Sequence, residues 1–340
     1  MFDILTIGST TRDTFLRGDF PVVDDPESPG GKAIHANLGE KYEVADAFST
    51  LGGNAANSAV TFARQGLRVG CFAEVGDDTR GKEIKEWLQK ERITSLLRED
   101  NQKTTAFSII FLTKEGERAI FAYHGANNEW EAQPPVEQFQ APWWYLSLSG
   151  ETTRHFMALM EHAREHDIRV AFNPSGYHIR HNRDEILKYL SAVTFLVLNQ
   201  EEAALLLDMD FKDEKAVFKK LDELVSPGIV AISYGPKGAA ISDGKHIIRA
   251  GIFPEKQLAD RTGAGDAFGS GFVAGLFHQS KGGSGLPLLS LEDLQYAVRL
   301  ATANATSVVE RVGATPGVLT REQFEQDPRW RDLPMSVEEV

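Results

Sequence analysis

One stretch constrains this chain more than any other: residues 260–271, which read Asp-Arg-Thr-Gly-Ala-Gly-Asp-Ala-Phe-Gly-Ser-Gly. Gly263 and Gly265 allow the backbone to turn with positive φ and leave room for a ligand beside the main chain. The small apolar residues of 267–276 predict a buried helix packed closely on a sheet. The first amides of such a helix lack partners within it and lie at the end of its dipole that attracts anions. The sequence therefore predicts an anion site at the start of a buried helix.

Asp266 lies beside that predicted anion site, and the combination suits phosphoryl transfer. Its carboxylate can take the proton from a substrate hydroxyl, while the amides of Ala264, Gly265 and Asp266 hold charge on the moving phosphoryl group. A glycine-rich turn that Asp266 merely caps is the structural alternative. The stretch differs from two other anion loops: its third glycine falls one residue late for a dinucleotide fingerprint, and no Lys-Ser or Lys-Thr follows the glycines as in a P-loop.

Composition limits the other function classes. With 340 residues, of which 42% are hydrophobic, the chain can bury one large α/β domain or two smaller ones. The formal net charge of −13 argues against a nucleic-acid partner, because polyanion binding needs a basic surface. Cys71 is the single cysteine, so we expect a buried thiol and neither an intrachain disulfide nor a cysteine-based zinc site. The sequence has no signal-peptide pattern and no membrane-spanning run, so we expect no membrane partner and a cytoplasmic location.

The second half of the chain alternates predicted strands and helices. Strands at 143–148, 169–172 and 194–198 are separated by helices at 152–165 and 184–190. Because crossovers between parallel strands are right-handed, this spacing predicts a parallel sheet covered by helices on both faces.

The first half predicts a smaller, separate sheet. Residues 104–112 and 118–123 alternate polar and apolar side chains around a turn, which indicates a hairpin, and short strands are predicted at 14–16 and 42–47. The Pro-, Gly- and Asp-rich residues 19–42 are interpreted as a surface insertion, with a linker between domains as the alternative.

Two motifs near the N-terminus put polar groups where a ligand could bind. Asp13 follows the predicted first strand, at the sheet edge where ligands of α/β proteins gather. Gly53 precedes a predicted helix for which Asn54 is the expected N-cap, and Asn57 lies one turn in. A loop acid and a helix-surface amide are the plain structural alternatives for Asp13 and Asn57.

Two further motifs follow later strands. Asn199 and Glu202 have the spacing of a helix capping pair, and a carboxylate there could also hold a magnesium ion largely through water. Ser233, Gly235 and Gly238 form a predicted tight turn leading into a hairpin.

These five motifs, taken in their order along the chain, resemble those of the ribokinase-like (PfkB) family of carbohydrate and nucleoside kinases, and the resemblance covers about residues 2–317. The resemblance implies an α/β fold: a three-layer sandwich with a central, mostly parallel sheet and a small β-sheet lid. It implies one kinase domain spanning residues 1–340, with the lid formed by about 14–50 and 104–124. Arg261 departs from the threonine that is commoner in the signature, at a position where we expect no chemistry.

The resemblance also assigns roles to residues. It implies that Asp266 is the catalytic base and that Gly263, Ala264 and Gly265 form the anion hole. Asp13, Gly53 and Asn57 would bind substrate, and Glu202 would hold Mg²⁺ through water. Asp260 is a candidate ligand for a monovalent cation such as K⁺. The nucleotide would contact Asn199, Ser233, Gly235, Gly238 and, on a C-terminal helix with a small-residue face, Asn304.

The function expected from this resemblance is transfer of the γ-phosphate of ATP to a hydroxyl of a small sugar, as in ribokinase and fructokinase. The alternatives are a nucleoside kinase of the same fold, similar to adenosine kinase, and a non-catalytic sugar- or nucleotide-binding module. ATP and Mg²⁺ are the expected cofactors, with K⁺ as a candidate. A homodimer formed through the lid is the candidate assembly.

Overall fold

Two β-sheets and two small strand pairs make up the β-structure of the described residues. A computed structural model describes residues 1–27, 31–113, 118–279 and 289–340. The strands are β1 (Ile4–Ile7), β2 (Thr11–Arg17), β3 (Val22–Asp24), β4 (Lys32–Ile34), β5 (Asp46–Gly52), β6 (Val69–Phe72), β7 (Glu74–Gly76), β8 (Thr94–Ser95), β9 (Arg98–Asp100), β10 (Phe107–Leu112), β11 (Arg118–Tyr123), β12 (Trp143–Leu146), β13 (Arg169–Phe172), β14 (Phe195–Asn199), β15 (Ile229–Ser233), β16 (Ala239–Ser242), β17 (His246–Ala250) and β18 (Met335–Glu339).

The helices separate most of these strands along the chain. They are α1 (Asn54–Arg64), α2 (Thr79–Lys90), α3 (Phe156–Glu165), α4 (Gly176–Tyr189), α5 (Gln200–Leu207), α6 (Glu214–Val225), α7 (Ala264–Gln279), α8 (Leu291–Val309) and α9 (Arg321–Gln326). Short 3-10 helices cover Gly125–Asn127, Val136–Gln138, Gly150–His155, Leu190–Ala192, Gly235–Lys237 and Pro328–Trp330. None of the helices within the described residues is both long and apolar enough to cross a membrane.

The main sheet has the strand order β18-β17-β16-β15-β14-β13-β12-β1-β6-β8. The strands from β15 to β8 in this order run parallel to their neighbours, while β16, β17 and β18 are added antiparallel at one edge. All parallel strands therefore end at the same edge of the sheet, which brings their following loops together.

Helices cover both faces of this sheet because successive strand residues point to opposite faces. Ile4 and Tyr145 pack with α1, α2, α7 and α8 in one hydrophobic cluster. The neighbouring residues Leu5 and Trp144 pack with α3, α4, α5 and α6 in the other. Buried strands with two apolar faces therefore produce the three-layer sandwich.

A second sheet, of order β11-β10-β2-β5, lies apart from the main one. In it β2 pairs in parallel with β10 and antiparallel with β5, while β10 and β11 form a hairpin. Residues 114–117, at the predicted hairpin tip, lie outside the described residues. A lid function of this sheet, and a single kinase domain over 1–340, stay predictions.

The predicted α/β class, with a large mostly parallel sheet and a small separate one, is confirmed. Several predicted details are wrong. The strand predicted at 42–47 begins at Asp46 and ends at Gly52, because it pairs along the whole of β2. The helix predicted at 184–190 begins at Gly176, where Ser175 caps it.

Candidate active site

Helix α7 brings the glycine-rich stretch to the edge of the sheet. Gly263 precedes the helix with a φ of 77°, in the region that favours glycine. A Cβ atom there would lie 2.4 Å from the Cβ of Ala314, so the turn fits tightly against the C-terminal segment. Ala264, Gly265 and Asp266 are the first three helical residues, and all three line a cavity of about 290 Å³. We call this the first cavity.

Asp266 is a titratable residue that lines the first cavity. Its Oδ2 accepts a hydrogen bond of 2.9 Å from Nδ2 of Asn57, which lies on α1. The pKa of Asp266 is raised to about 6, mainly by burial and also by the nearby charge of Glu202, while the hydrogen bond from Asn57 acts in the opposite direction. A carboxyl group with a pKa near neutrality can exchange a proton with a substrate at physiological pH.

Two strand ends of the main sheet also line the first cavity. Asn199 ends β14 and is paired in register with Ser233, which ends β15. Asn199 Oδ1 accepts from the amide of Glu202, and Glu202 Oε2 accepts from the amide of Asn199, each at 2.8 Å. This is the predicted capping pair. Burial raises the pKa of the Glu202 carboxyl group, and this side chain also lines the cavity.

A second cavity, also of about 290 Å³, adjoins the first. Gly235 and Gly238 line it, with φ values of 57° and 95°. Its wall is largely apolar and includes Ile252, Leu258 and Val309. Five residues line both cavities: Ser233, Arg261, Ala264, Gly265 and Phe268. An elongated ligand could extend from one cavity into the other past these residues.

The residues predicted to bind substrate lie on β2 and at the start of α1, and none of them lines the first or the second cavity. Asp13, on β2, is 6% exposed, and burial raises the pKa of its carboxyl group. A Cβ atom on Gly52 would lie 2.0 Å from Asp13 Oδ2, so Gly52 leaves the room that the carboxylate needs. Gly53 has a φ of 89° and is the N-cap of α1. Asn57 Oδ1 is buried and has no hydrogen-bond partner among the described residues.

Comparison with known proteins identifies the family. Residues 32–321 match the pfkB family of carbohydrate kinases. The chain belongs to this family. It is 29% identical to a ribokinase of Haemophilus influenzae over 296 residues, covering 84% of this chain and 88% of that protein. It is 25% identical to a nucleoside kinase of Methanothermobacter thermautotrophicus over 322 residues, covering 93% and 92%.

Solved structures support the pfkB fold. One is a ribokinase of Arabidopsis thaliana in complex with ribose and ATP. It has a TM-score of 0.74 and 20% identity, and the match covers 97% of this chain and 99% of that one. The predicted family and carbohydrate-kinase class are therefore confirmed, while the cytoplasmic location stays a prediction.

The structure places Asn304 of this pfkB kinase among protein groups. Asn304 is fully buried on α8 and does not face the second cavity. Its Nδ2 donates to the carbonyl of Ala267 at 2.9 Å and to Thr61 Oγ1 at 3.2 Å, while its Oδ1 accepts from the amide of Leu319 at 3.0 Å. Asn304 therefore joins α8 to the start of α7, and its predicted contact with a nucleotide stays a prediction. The same helix lines the cavity with Thr302, Ala305 and Thr306.

A hydrogen-bonded series of polar residues, which the sequence analysis did not identify, lines the first cavity of the kinase. Asn54 is not the N-cap of α1, because its Oδ1 accepts from the amide and hydroxyl of Ser9. Its Nδ2 donates to Ser147 Oγ at 2.8 Å, and Ser147 donates to the carbonyl of Asn173 at 2.9 Å. Asn54, Ser147 and Asn173 all line the cavity. Ser147 and Asn173 directly follow β12 and β13, a signal that could have marked them.

The pH dependence of kinase activity should follow the ionisation of Asp266. Because the carboxylate must be unprotonated to accept a proton, we expect kcat/KM to rise with pH through about 6 and then to level off. The Asn57 bond favours the charged form, so Asn57→Ala should move this acid limb to higher pH. Initial rates of both proteins between pH 4.5 and 8.5 measure the limb. Ionisation of ATP affects both proteins equally, so an unchanged limb in Asn57→Ala would contradict the assignment to Asp266.

Proposed function

We propose that this chain transfers the γ-phosphate of ATP to a hydroxyl group of a small sugar, with Asp266 as the general base. The observation that carries the proposal is the position of this carboxylate, with its raised pKa, at the start of α7 and beside the boundary of two cavities. In the reaction the hydroxyl oxygen forms a bond to the γ-phosphorus as its proton passes to Asp266. The bond from that phosphorus to the bridging oxygen breaks, and ADP leaves with the bonding electrons.

The nucleotide would extend along the second cavity. The apolar wall that includes Ile252, Leu258 and Val309 suits a flat base, and Gly235 and Gly238 leave the backbone accessible to ribose and phosphate. The phosphates would then meet Asn199, Ser233 and the backbone amides of Gly263, Ala264 and Gly265. ATP is the donor we propose because the Arabidopsis ribokinase structure is described with ATP and ribose.

The sugar would bind between Asp266 and the small sheet. Asp13, Gly53 and Asn57 are the proposed contacts, since a carboxylate, a backbone held open by glycine and an amide can each hydrogen-bond to a hydroxyl. Asn57 would then have two functions: Nδ2 orients Asp266, while the unpartnered Oδ1 accepts from a sugar hydroxyl. The small sheet would act as the lid that keeps water away from the phosphoryl group.

Magnesium fits Glu202. One of its carboxylate oxygens is engaged by the Asn199 amide, and the second makes no hydrogen bond within the described residues. The described residues contain no cluster of three or more metal-binding side chains. A single carboxylate acting through water suits Mg²⁺, which retains much of its water shell. When bound, the ion would neutralise charge on the phosphates.

A substrate panel tests the proposed function. ADP release from MgATP is measured with ribose, fructose, 2-keto-3-deoxygluconate and adenosine, and the phosphorylated product is identified by mass spectrometry. Transfer to a sugar supports the proposal. Adenosine as the best acceptor would favour the nucleoside kinase alternative, for which the Methanothermobacter relative is the observation. Absence of transfer to any alcohol would favour a binding module.

A potassium ion fits Asp260 poorly. This carboxylate is fully buried, and its Oδ1 accepts from Arg118 Nη1 at 2.8 Å and from the amide and hydroxyl of Thr262. Its Oδ2 accepts from the amide of Gly313 at 3.1 Å. Arg118, on lid strand β11, therefore already supplies a positive charge to Asp260. We propose that the guanidinium group of Arg118 provides the positive charge beside Asp260 that the sequence analysis assigned to a monovalent cation.

The kinase should accordingly turn over at the same rate, within about twofold, in potassium and in tetramethylammonium chloride. Arg118→Met should lower the free energy of unfolding by about 3 kcal/mol, because it leaves a buried carboxylate without its counter-charge. Arg68→Met is the matched control: Arg68 pairs with Asp3 at 2.6 Å but is largely exposed, so the expected loss is below about 1 kcal/mol. Urea titrations measure both. Several-fold activation of the wild type by potassium would contradict this proposal.

The proposed homodimer would form through the same sheet. Strand β11 is an edge strand, and it exposes Ile120, Phe121 and Tyr123 by 48%, 65% and 46%. An apolar edge of this kind is suited to covering by a second copy of the chain. Light scattering would give the mass in solution, and Phe121→Lys should shift a dimer toward the monomer. A monomeric wild type would refute the assembly.

A further inference from the structure

Arg261 lies where the two cavities meet. It is one of the residues that line both of them, together with Ala264 and Gly265 of the anion hole. A ligand that extends from the second cavity toward Asp266 must pass this boundary. The side chain of Arg261 is therefore next to the proposed path of the phosphates.

Arg261 is also the one positively charged residue among the described residues that line the two cavities. Among the described residues that line the two cavities, the other charged ones are acids: Asp266, Glu202 and Glu255. A chain with a formal net charge of −13 offers little general attraction to a polyphosphate. Bringing a triphosphate close to Asp266 and Glu202 requires compensating positive charge, which the proposed magnesium ion and a basic side chain can both supply. Within the described lining of the two cavities, that basic side chain is Arg261.

Hydrogen bonds hold the backbone around Arg261, while its side chain remains accessible to a ligand. On one side, Asp260 is anchored to Arg118, Thr262 and Gly313 by its carboxylate. On the other side the amide of Ala264 donates to the carbonyl of Arg261 itself. The Arg261 side chain is exposed and forms no hydrogen bond or ion pair with another described residue. A fixed backbone with an uncommitted guanidinium group is what binding of an incoming anion needs.

We propose that Arg261 is a phosphate-contacting residue that binds the β- and γ-phosphates of the nucleotide and stabilises charge on the transferred phosphoryl group. A guanidinium group suits this because its planar fork donates two parallel hydrogen bonds to one phosphate. The inference rests on the proposed kinase function and deepens it. It also replaces the sequence-based expectation that this position takes no part in the chemistry.

Nucleotide binding and turnover of three variants test the proposal. Arg261→Gln removes the charge, Arg261→Lys keeps a charge but loses the fork, and Arg311→Gln is the matched control. Arg311 is exposed, and it lines a third cavity but neither of the first two. Calorimetry measures the affinity for ATP and for adenosine, which lacks phosphates, and steady-state rates give kcat and KM.

Arg261→Gln should weaken ATP binding about tenfold, leave adenosine binding unchanged and lower kcat about a hundredfold, the scale of losing one transition-state donor. Arg261→Lys should recover part of the loss, and Arg311→Gln should match the wild type. Wild-type ATP affinity and kcat in Arg261→Gln would overturn the proposal, as would equal weakening of ATP and adenosine. If no alcohol accepts phosphate, the kinase function fails, while the ATP and adenosine affinities still decide whether Arg261 contacts phosphate.

Discussion

Asp266→Asn is expected to lower kcat about a thousandfold or more, since a positioned general base contributes roughly 10²- to 10⁴-fold. The amide has the size of the carboxylate, and its oxygen can still accept the hydrogen bond from Asn57. It cannot take up the proton of a substrate hydroxyl. Affinity for ATP should therefore change little while turnover falls. Steady-state rates and calorimetry with ATP measure the two quantities separately.

Asp222→Asn is the matched control for this experiment. Asp222 is also partly buried with a raised pKa, and its carboxylate accepts from Ser242 Oγ at 2.7 Å, but it lines neither cavity. This variant should retain the kcat of the wild type. Unchanged turnover in Asp266→Asn would refute the assignment of the base. An equal loss in both variants would mean that the loss of a buried charge, and not of the base, lowers activity.

Gly263→Ala should lower the free energy of unfolding by roughly 2–4 kcal/mol. Two effects combine: an alanine is strained at a φ of 77°, and its Cβ atom would meet the Cβ of Ala314 at 2.4 Å. Relieving that contact would move the turn away from the C-terminal segment, and the proposed anion hole would move with the turn. Both stability and kcat should therefore fall, as urea titrations and initial rates would measure.

Gly265→Ala tests the proposed phosphate site without such a clash, because the Cβ that it adds has no described atom within 4 Å outside the adjacent residues and its own helix backbone. Gly265 is already helical, so alanine should stabilise the folded state by about 0.5 kcal/mol. The new methyl group nevertheless extends beside the two cavities, where we propose that phosphates bind. We expect a higher melting temperature together with a higher KM for ATP. Wild-type kinetics in this variant would argue against phosphate at this turn.

The large-scale architecture was predictable because it follows from local patterns. Alternating strands and helices after Trp143 imply parallel pairing, and the parallel pairing of β12 to β15 follows that prediction. Glycines with positive φ at Gly53, Gly235 and Gly263 lie at turns whose spacing in the chain is part of the motifs. Patterns of this kind are properties of short segments, so the sequence alone carries them.

Side-chain direction on a helix buried on several sides was not predictable. On α8, Asn304 and Ala305 are neighbours in sequence, but one joins the core and the other lines the second cavity. When two faces of a helix are both packed against other elements, the spacing of its apolar residues does not show which face lies in the core and which lines a cavity. The ion pair of Arg118 with Asp260 joins residues 142 positions apart, and the boundary position of Arg261 depends on the meeting of two cavities. Such relations arise only from tertiary packing.

A crystal structure of the protein with its accepted sugar and a non-hydrolysable ATP analogue would test the central claim most directly. The distance to measure is the one between the carboxylate of Asp266 and the acceptor hydroxyl. We predict a hydroxyl oxygen within about 3.2 Å of that carboxylate, aligned with the γ-phosphate and with the nucleotide base in the second cavity. A sugar bound with all of its hydroxyls out of reach of Asp266, or a γ-phosphate on the far side of α7, would contradict it.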